Sequence, residues 1–243
     1  MKERKKRIEI IDALRGLAVV LMVIHHLLYN IWQFLGGPSW LFTNPVFDVL
    51  HYVFAGLFIF LSGVSSRFSR GNIRRGLIAI ALAACISVVM YLMDMPIWFG
   101  VLHLLGFSML FFGITGKAWD KIPRKAAPVV FVALIVAGAL AREYINVSVD
   151  NPIARACISV LGWPQAGFRS FDYFPILPWI FVFLMGTWAG LYIVDRKLPD
   201  RFYEMKFPLF PAIGRKALLI YILHQPILYG LVMGIRQLLT PSP

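Results

Sequence analysis

Seven long apolar stretches, separated by short polar or basic ones, set the pattern of this chain. They fall at about 8 to 34, 47 to 66, 76 to 93, 97 to 115, 127 to 141, 174 to 194 and 214 to 238. Each approaches the roughly 20 residues that an α-helix needs to cross a bilayer. None shows the strict alternation of a membrane β-strand. The pattern predicts an all-α integral membrane protein, a bundle of about seven transmembrane helices. It predicts one domain over residues 1–243, because no linker, internal repeat or low-complexity segment interrupts it. A tight turn around Asp94 and Pro96 joins the third and fourth spans. The longest gap, about 142 to 173, holds Asn151-Pro152, Trp163-Pro164 and Gly167, and reads as an irregular, partly ordered loop.

The first span, IEIIDALRGLAVVLMVIHHLLYNIWQF, departs from a plain anchor. It carries Asp12 and Arg15 near one end and His25 and His26 toward the other. Charged groups at membrane depth cost roughly 2.5 to 3.5 kcal/mol each on insertion scales. At about 100 degrees per residue, Arg15 and His26 differ by about 20 degrees and lie about 16 Å apart along the axis. Asp12 lies within about 60 degrees of both, so one polar stripe runs along the span. The leading MKERKKR resembles the start of a signal peptide. The apolar run after it is too long, holds Arg15 and lacks a small-residue cleavage pattern, so it reads as a retained span.

Composition strengthens the membrane reading: 59% of residues are hydrophobic and mean hydropathy is +0.74, against about 45–50% apolar for soluble domains. The net charge of +12 would suggest nucleic acid in a soluble protein. Here the basic residues sort by loop instead, which excludes nucleic acid as a partner and leaves the lipid bilayer. Nineteen fall at one face: the N-terminal run, Arg67 to Arg75, Lys117 to Lys125, and Arg196 to Lys216. Only Arg142, Arg155, Arg169 and Arg236 fall at the other. The positive-inside rule then puts the N-terminus in the cytoplasm and the C-terminus outside, as expected for a multi-pass protein of a bacterial cytoplasmic membrane. The long loop lies outside in this orientation, placed to cover an outward-facing pocket. Trp32, Trp40, Trp98 and Trp163 fall near the outer interface, as an aromatic belt or as sugar-stacking rings. Cys85 and Cys157 imply neither a disulfide nor a metal site.

All five histidines lie inside predicted spans. His25 and His26 are in the first, His51 in the second, His103 in the fourth and His224 in the last. A single membrane histidine is ordinarily a helix–helix hydrogen bond. Five on four helices, all at mid-depth or in the outer half, predict a shared polar cavity. Imidazole takes up and returns a proton near neutral pH. Asp48, one turn before His51, either orients that ring or caps the second span. No close pair of ligands shares a face, so no metal is expected. No activated Ser or Cys and no phosphate-cradling glycine loop is present. At the other end Arg15, Arg67 and Arg74 are placed to hold a phosphorylated cofactor, against ordinary topology and pairing of Arg15 with Asp12. On these residues two readings stay open: a proton-coupled small-molecule transporter using the histidines as a relay, and a non-catalytic membrane component. The odd span count and absent internal repeat weigh against the transporter.

Four segments carry a family resemblance: RIEIIDALRGLAVVLMVIHH, FDVLHYVFAGLFIFLSGVSSRFSR, FGVLHLLGFSML and GRKALLIYILHQPILYGLV. Together, in order, they resemble the bacterial membrane proteins grouped with the catalytic domain of heparan-α-glucosaminide N-acetyltransferase. The first span is also similar to the acyltransferase-3 group, in which a basic residue, ten residues and a His recur, as Arg15 and His26 do here. The second-span phrase of that group resembles FIFLSG at 58–63. The resemblance implies a membrane acyltransferase that takes acetyl-CoA from the cytoplasm and acylates a glycan or similar acceptor outside. On this chain it implies His26 as general base, with His25 or His51 second and Asp48 orienting His51. Arg15, Arg67 and Arg74 would lie on the donor path, and His103, His224 and Trp40 would line the pocket. One position departs: the family's loop histidine stands two residues before a Ser-Trp pair, and here Gly37 precedes Ser39-Trp40. Glucosaminide specificity is therefore not carried over. A homodimer is the assembly to test.

Overall fold

The computed structural model describes residues 7–40 and 44–239; Lys2, Arg4, Lys5 and Lys6 of the basic start lie outside them. Among the described residues there is no strand, only an isolated bridge between Phe99 and Tyr173. Seven helices are long and apolar enough to cross a membrane. They are α1 (Glu9–Leu35), α2 (Pro45–Arg67), α3 (Asn72–Leu92), α4 (Val101–Trp119), α5 (Ala127–Tyr144), α7 (Ile176–Val194) and α10 (Ala217–Leu239). Shorter helices among the described residues are α6 (Pro152–Leu161), α8 (Asp200–Glu204) and α9 (Phe210–Arg215). The seven spans expected from hydropathy are all present, and this is a multi-pass membrane protein.

Exposed side chains explain the composition. On α5, Val129, Val132, Val136 and Leu140 recur at helical spacing and are exposed, while Ala127, Phe131 and Gly138 are buried. Such a face suits lipid, which is as apolar as the residues it meets.

The chain forms two compact units. One runs to Phe58 and resumes at Leu198; the other is Ile59–Lys197. In the first, α1 packs against α8, α9 and α10. Its first turn carries Glu9 and Asp12, which complement the positive end of the helix dipole. It ends at Gly36, held in the left-handed region at φ +69°, where a side chain is strained. Contact between α1 and α9 is reciprocal and backbone-close: a Cβ on Gly16 would strike the Phe210 carbonyl, and one on Gly214 the Asp12 carbonyl.

In the second unit α3 packs on α4, while α7 packs on α4, α5 and α6. The part of α2 from Ile59 onward meets α7 through another reciprocal pair. A Cβ on Gly63 would strike the Phe183 carbonyl, and one on Gly186 the Phe60 carbonyl. Small residues let membrane helices approach this closely and gain dispersion contacts.

The long loop is partly ordered, as expected: α6 occupies its middle, started by Asn151, whose Oδ1 accepts from the Ile153 and Ala154 N–H groups, with Pro152 at the first helical position. Two span starts are corrected. The last span starts at Ala217 rather than 214, because the chain breaks at Lys216 (φ −102°, ψ 10°) and the residues before it form α9. The fourth span starts at Val101 rather than 97. Residues 96 to 100 lie outside the helix, and the Pro96 and Phe99 carbonyls accept from the Phe171 and Phe174 N–H groups.

These contacts predict a contrast among glycines. Gly63→Ala and Gly186→Ala should each lower stability by about 1–3 kcal/mol. Gly230→Ala and Gly234→Ala, with nothing within 4 Å of the added carbon, should stay within about 0.5 kcal/mol. Thermal unfolding of detergent-purified protein, followed by tryptophan fluorescence, checks the four together.

Candidate functional site

Four of the five histidines gather in the first unit. His26, on α1, hydrogen-bonds through Nδ1 to the Met22 carbonyl one turn earlier, at 2.9 Å. A carbonyl only accepts, so Nδ1 carries the hydrogen and the lone pair of the neutral ring sits at Nε2. His224, on α10, repeats the device with the Tyr221 carbonyl at 2.7 Å. Its Nε2 is buried, with no hydrogen-bond partner among the described residues. The two rings meet edge to face, centroids 4.9 Å apart.

His25 turns the other way. Successive helical residues point about 100 degrees apart, so one position addresses α10 and its neighbour addresses α2. The His25 ring lies 4.4 Å from that of His51 and 5.8 Å from that of His26. The first unit therefore holds a continuous run of rings, His51–His25–His26–His224, drawn from α2, α1 and α10.

A second polar contact lies beside it. Asn30, one turn after His26 and fully buried, accepts a hydrogen bond from Gln225 Nε2 at 3.1 Å. Gln225 follows His224 in sequence and is also buried. Asn30 Nδ2 and Gln225 Oε1 are buried without hydrogen-bond partners among the described residues. Neither residue was singled out from the sequence. The available signal was an uncharged amide within each span, one turn from or next to a histidine.

The other expected site residues are placed as follows. Arg15 pairs with Asp12 at 2.9 Å, both largely buried. Asp48 is exposed in the first turn of α2, and the Val46 N–H is bound by Asn44 Oδ1 instead. Trp40 is exposed, its ring 6.3 Å from that of Phe47.

In the second unit His103 has its own partners. Its Nδ1 accepts from the Gly100 N–H at 3.2 Å, and its Nε2 lies 3.4 Å from Ser87 Oγ. Ser87 in turn donates to the Ile97 carbonyl at 2.6 Å. Both ring nitrogens are thus engaged at the head of α4, in the tautomer opposite to that of His26. Arg67 donates to the Thr187 carbonyl at 2.8 Å, makes two bonds to the Asp120 carboxylate, and lies 4.7 Å over the Phe112 ring. Arg74 is exposed on α3. Among the described residues no group of three His, Cys, Asp or Glu side chains is placed to hold a metal ion.

The long loop is tied to its own unit. Asp172 Oδ2 accepts from the Val101 N–H at 3.0 Å, and Arg142 donates to the Gly162 carbonyl at 2.9 Å. The Tyr173 hydroxyl donates to the Ser159 carbonyl at 2.6 Å. Burial raises the Tyr173 hydroxyl pKa above its ordinary value, opposed in part by Arg142.

Seven apolar spans with imidazoles set inside them define a polytopic membrane protein that carries acid–base groups within its helices. The chain matches the family model for heparan-alpha-glucosaminide N-acetyltransferase, catalytic, over residues 7–226, and it belongs to that membrane acetyltransferase family. The matched span includes the whole histidine run, Asn30 and Gln225. No curated protein and no solved structure matches it.

The loop tie predicts a pH dependence. Because the folded pKa of Tyr173 is raised, its contribution is complete below the unfolded value of about 10 and is lost as pH rises through the folded value. Between about pH 9 and 11 the wild-type unfolding temperature should therefore fall more steeply than that of Tyr173→Phe. Equal slopes would remove Tyr173 as the cause.

Proposed function

We propose that this protein transfers an acetyl group from acetyl-CoA to a hydroxyl or amine of a glycan or similar acceptor, with His26 as general base. The observation that carries this reading is the Nδ1–H bond from His26 to the Met22 carbonyl. It directs the basic lone pair of an interior imidazole to Nε2, in a chain of an acetyltransferase family. His26 Nε2 takes the acceptor's proton as its oxygen or nitrogen attacks the thioester carbonyl carbon. The new C–O or C–N bond forms, the C–S bond breaks, and the proton held at His26 returns to the departing sulfur. Direct transfer needs no nucleophile from the protein.

His224, 4.9 Å away, is the second ring able to share that proton. His25 and His51 continue the run, with Asp48 as the carboxylate of the His51 helix. Arg15 serves the donor's phosphates in this reading, with the donor entering from the cytoplasm and the acceptor from outside. Arg15 already holds a carboxylate, so it positions more than it attracts. With both nitrogens engaged, His103 takes no acid or base role in this reading. Trp40 offers an exposed ring to a sugar. The expected setting is a bacterial cytoplasmic membrane, as a monomer or homodimer.

A second reading, a proton-coupled transporter, takes its support from the same run of rings, whose centroids step by 4.4 to 5.8 Å. Reconstituted protein separates the two. Acetyl-CoA with glycan acceptors should release CoA, and His26→Ala should slow release by about 10²–10⁴-fold while acetyl-CoA affinity, measured by calorimetry, holds. A preparation that neither binds acetyl-CoA nor turns it over would refute acyl transfer. Substrate-dependent proton flux in liposomes without acyl-CoA would establish the relay.

A further inference from the structure

The histidine run accounts for the proton but not for how an acceptor is chosen. Beside it stands the Asn30–Gln225 contact. Asn30 lies one turn from His26 on α1, and Gln225 lies next to His224 on α10, so the same two helices meet through two successive polar contacts. The first pairs imidazoles at 4.9 Å; the second pairs amides at 3.1 Å.

A helix tie does not explain the second contact in full. One amide bond joins the helices, and it leaves a buried donor, Asn30 Nδ2, and a buried acceptor, Gln225 Oε1. Each such orphan costs about 1–3 kcal/mol, and adhesion alone is served as well by apolar packing. Exchanging oxygen and nitrogen in both amides gives the same inventory: one bond made, one donor and one acceptor left. His224 Nε2 is the third buried, unpartnered atom of the unit. A group that accepts one hydrogen bond and donates another matches the amide pair, and a hydroxyl does both.

Resting on the acyl-transfer reading, we propose that Asn30 and Gln225 are specificity-determining residues that hold a hydroxyl of a sugar-like acceptor beside His26 and His224. Nδ2 of Asn30 donates to the hydroxyl oxygen, and Oε1 of Gln225 accepts its hydrogen. A site built this way rejects an analogue lacking the hydroxyl, because its buried amides are then left unpaired. Water has the same donor and acceptor chemistry, so the test must tell a sugar hydroxyl from bound water.

The probe is methyl glucosaminide, titrated by calorimetry into the detergent-purified full chain without acetyl-CoA, beside its 3-, 4- and 6-deoxy analogues. Wild type should bind one of the deoxy analogues at least about tenfold more weakly than the parent, the loss of roughly one hydrogen bond. In the double variant Asn30→Leu with Gln225→Met, which removes both amides together, that discrimination should disappear. If the double variant does not fold, Asn30→Asp, which exchanges only the donor nitrogen for oxygen, replaces it in the same comparison. No sugar binding, equal affinity of wild type for every analogue, or discrimination that survives the variants would overturn the proposal and leave the amides a water-filled helix tie. The two readings fail separately. CoA release without hydroxyl discrimination refutes the acceptor site alone. Discrimination without CoA release refutes acyl transfer alone.

Discussion

Hydrocarbon supplies no hydrogen-bond partners, so a chain that crosses it must satisfy its polar groups from within. For the backbone this means helices. For the side chains it means that the charged groups brought into the spans arrive with partners. Arg15 has Asp12 one turn away. Arg67 has Asp120 and the Thr187 carbonyl. His26 and His224 each use one ring nitrogen on a carbonyl of their own helix. Once those pairs are made, the buried side-chain atoms left unmatched among the described residues of the first unit are His224 Nε2, Asn30 Nδ2 and Gln225 Oε1. The pairs are architecture. The remainder is what the proposed acceptor site draws on.

Backbone contact between helices fixes where that remainder sits. Gly16 and Gly214 let α9 lie directly on the first turns of α1. Since α10 starts only three residues after Gly214, the register of α9 on α1 sets where α10 begins. That in turn sets which residue of α10 arrives opposite His26. A side chain at either glycine would displace the short helix and, through it, the seat of His224 and Gln225. Two glycines near one end of the first span thus bear on geometry more than two helical turns away.

Much of this was legible in the sequence. Hydropathy summed over twenty residues is insensitive to detail, which is why seven spans emerge with small errors at their ends. The short helices do not share that advantage. Six residues of α9 are too few to show periodicity, and the break at Lys216 has neither Gly nor Pro to mark it. At α6 the signal was present, since Asn151-Pro152 is a cap followed by a proline at the first helical position, but it reads equally as a turn. Convergence of imidazoles could be read from face and depth, and four of the five do meet in one unit. Partners could not be read: His103 proved to be held by Gly100 and Ser87, and Arg67 by Asp120. Asn30 and Gln225 are not legible in this way, because a neutral amide leaves no mark on the charge pattern.

What separates the histidines is the direction of one hydrogen bond. His103 accepts a backbone N–H at Nδ1, so its lone pair is committed and its hydrogen lies on the Ser87 side. Protonating that ring would place two hydrogens against each other at Gly100 and break the seat of the ring. His26 donates from Nδ1 to a carbonyl, and that hydrogen is present whether the ring is neutral or charged. Gaining a proton at Nε2 strengthens this bond instead of opposing it, because the donor becomes cationic. The ring can therefore complete a cycle of uptake and return without leaving its rotamer. A general base inside a membrane needs this property, since any reorientation would expose a charge to lipid. The own-helix carbonyl four residues before His26 gives this imidazole the property that the proposed role asks for.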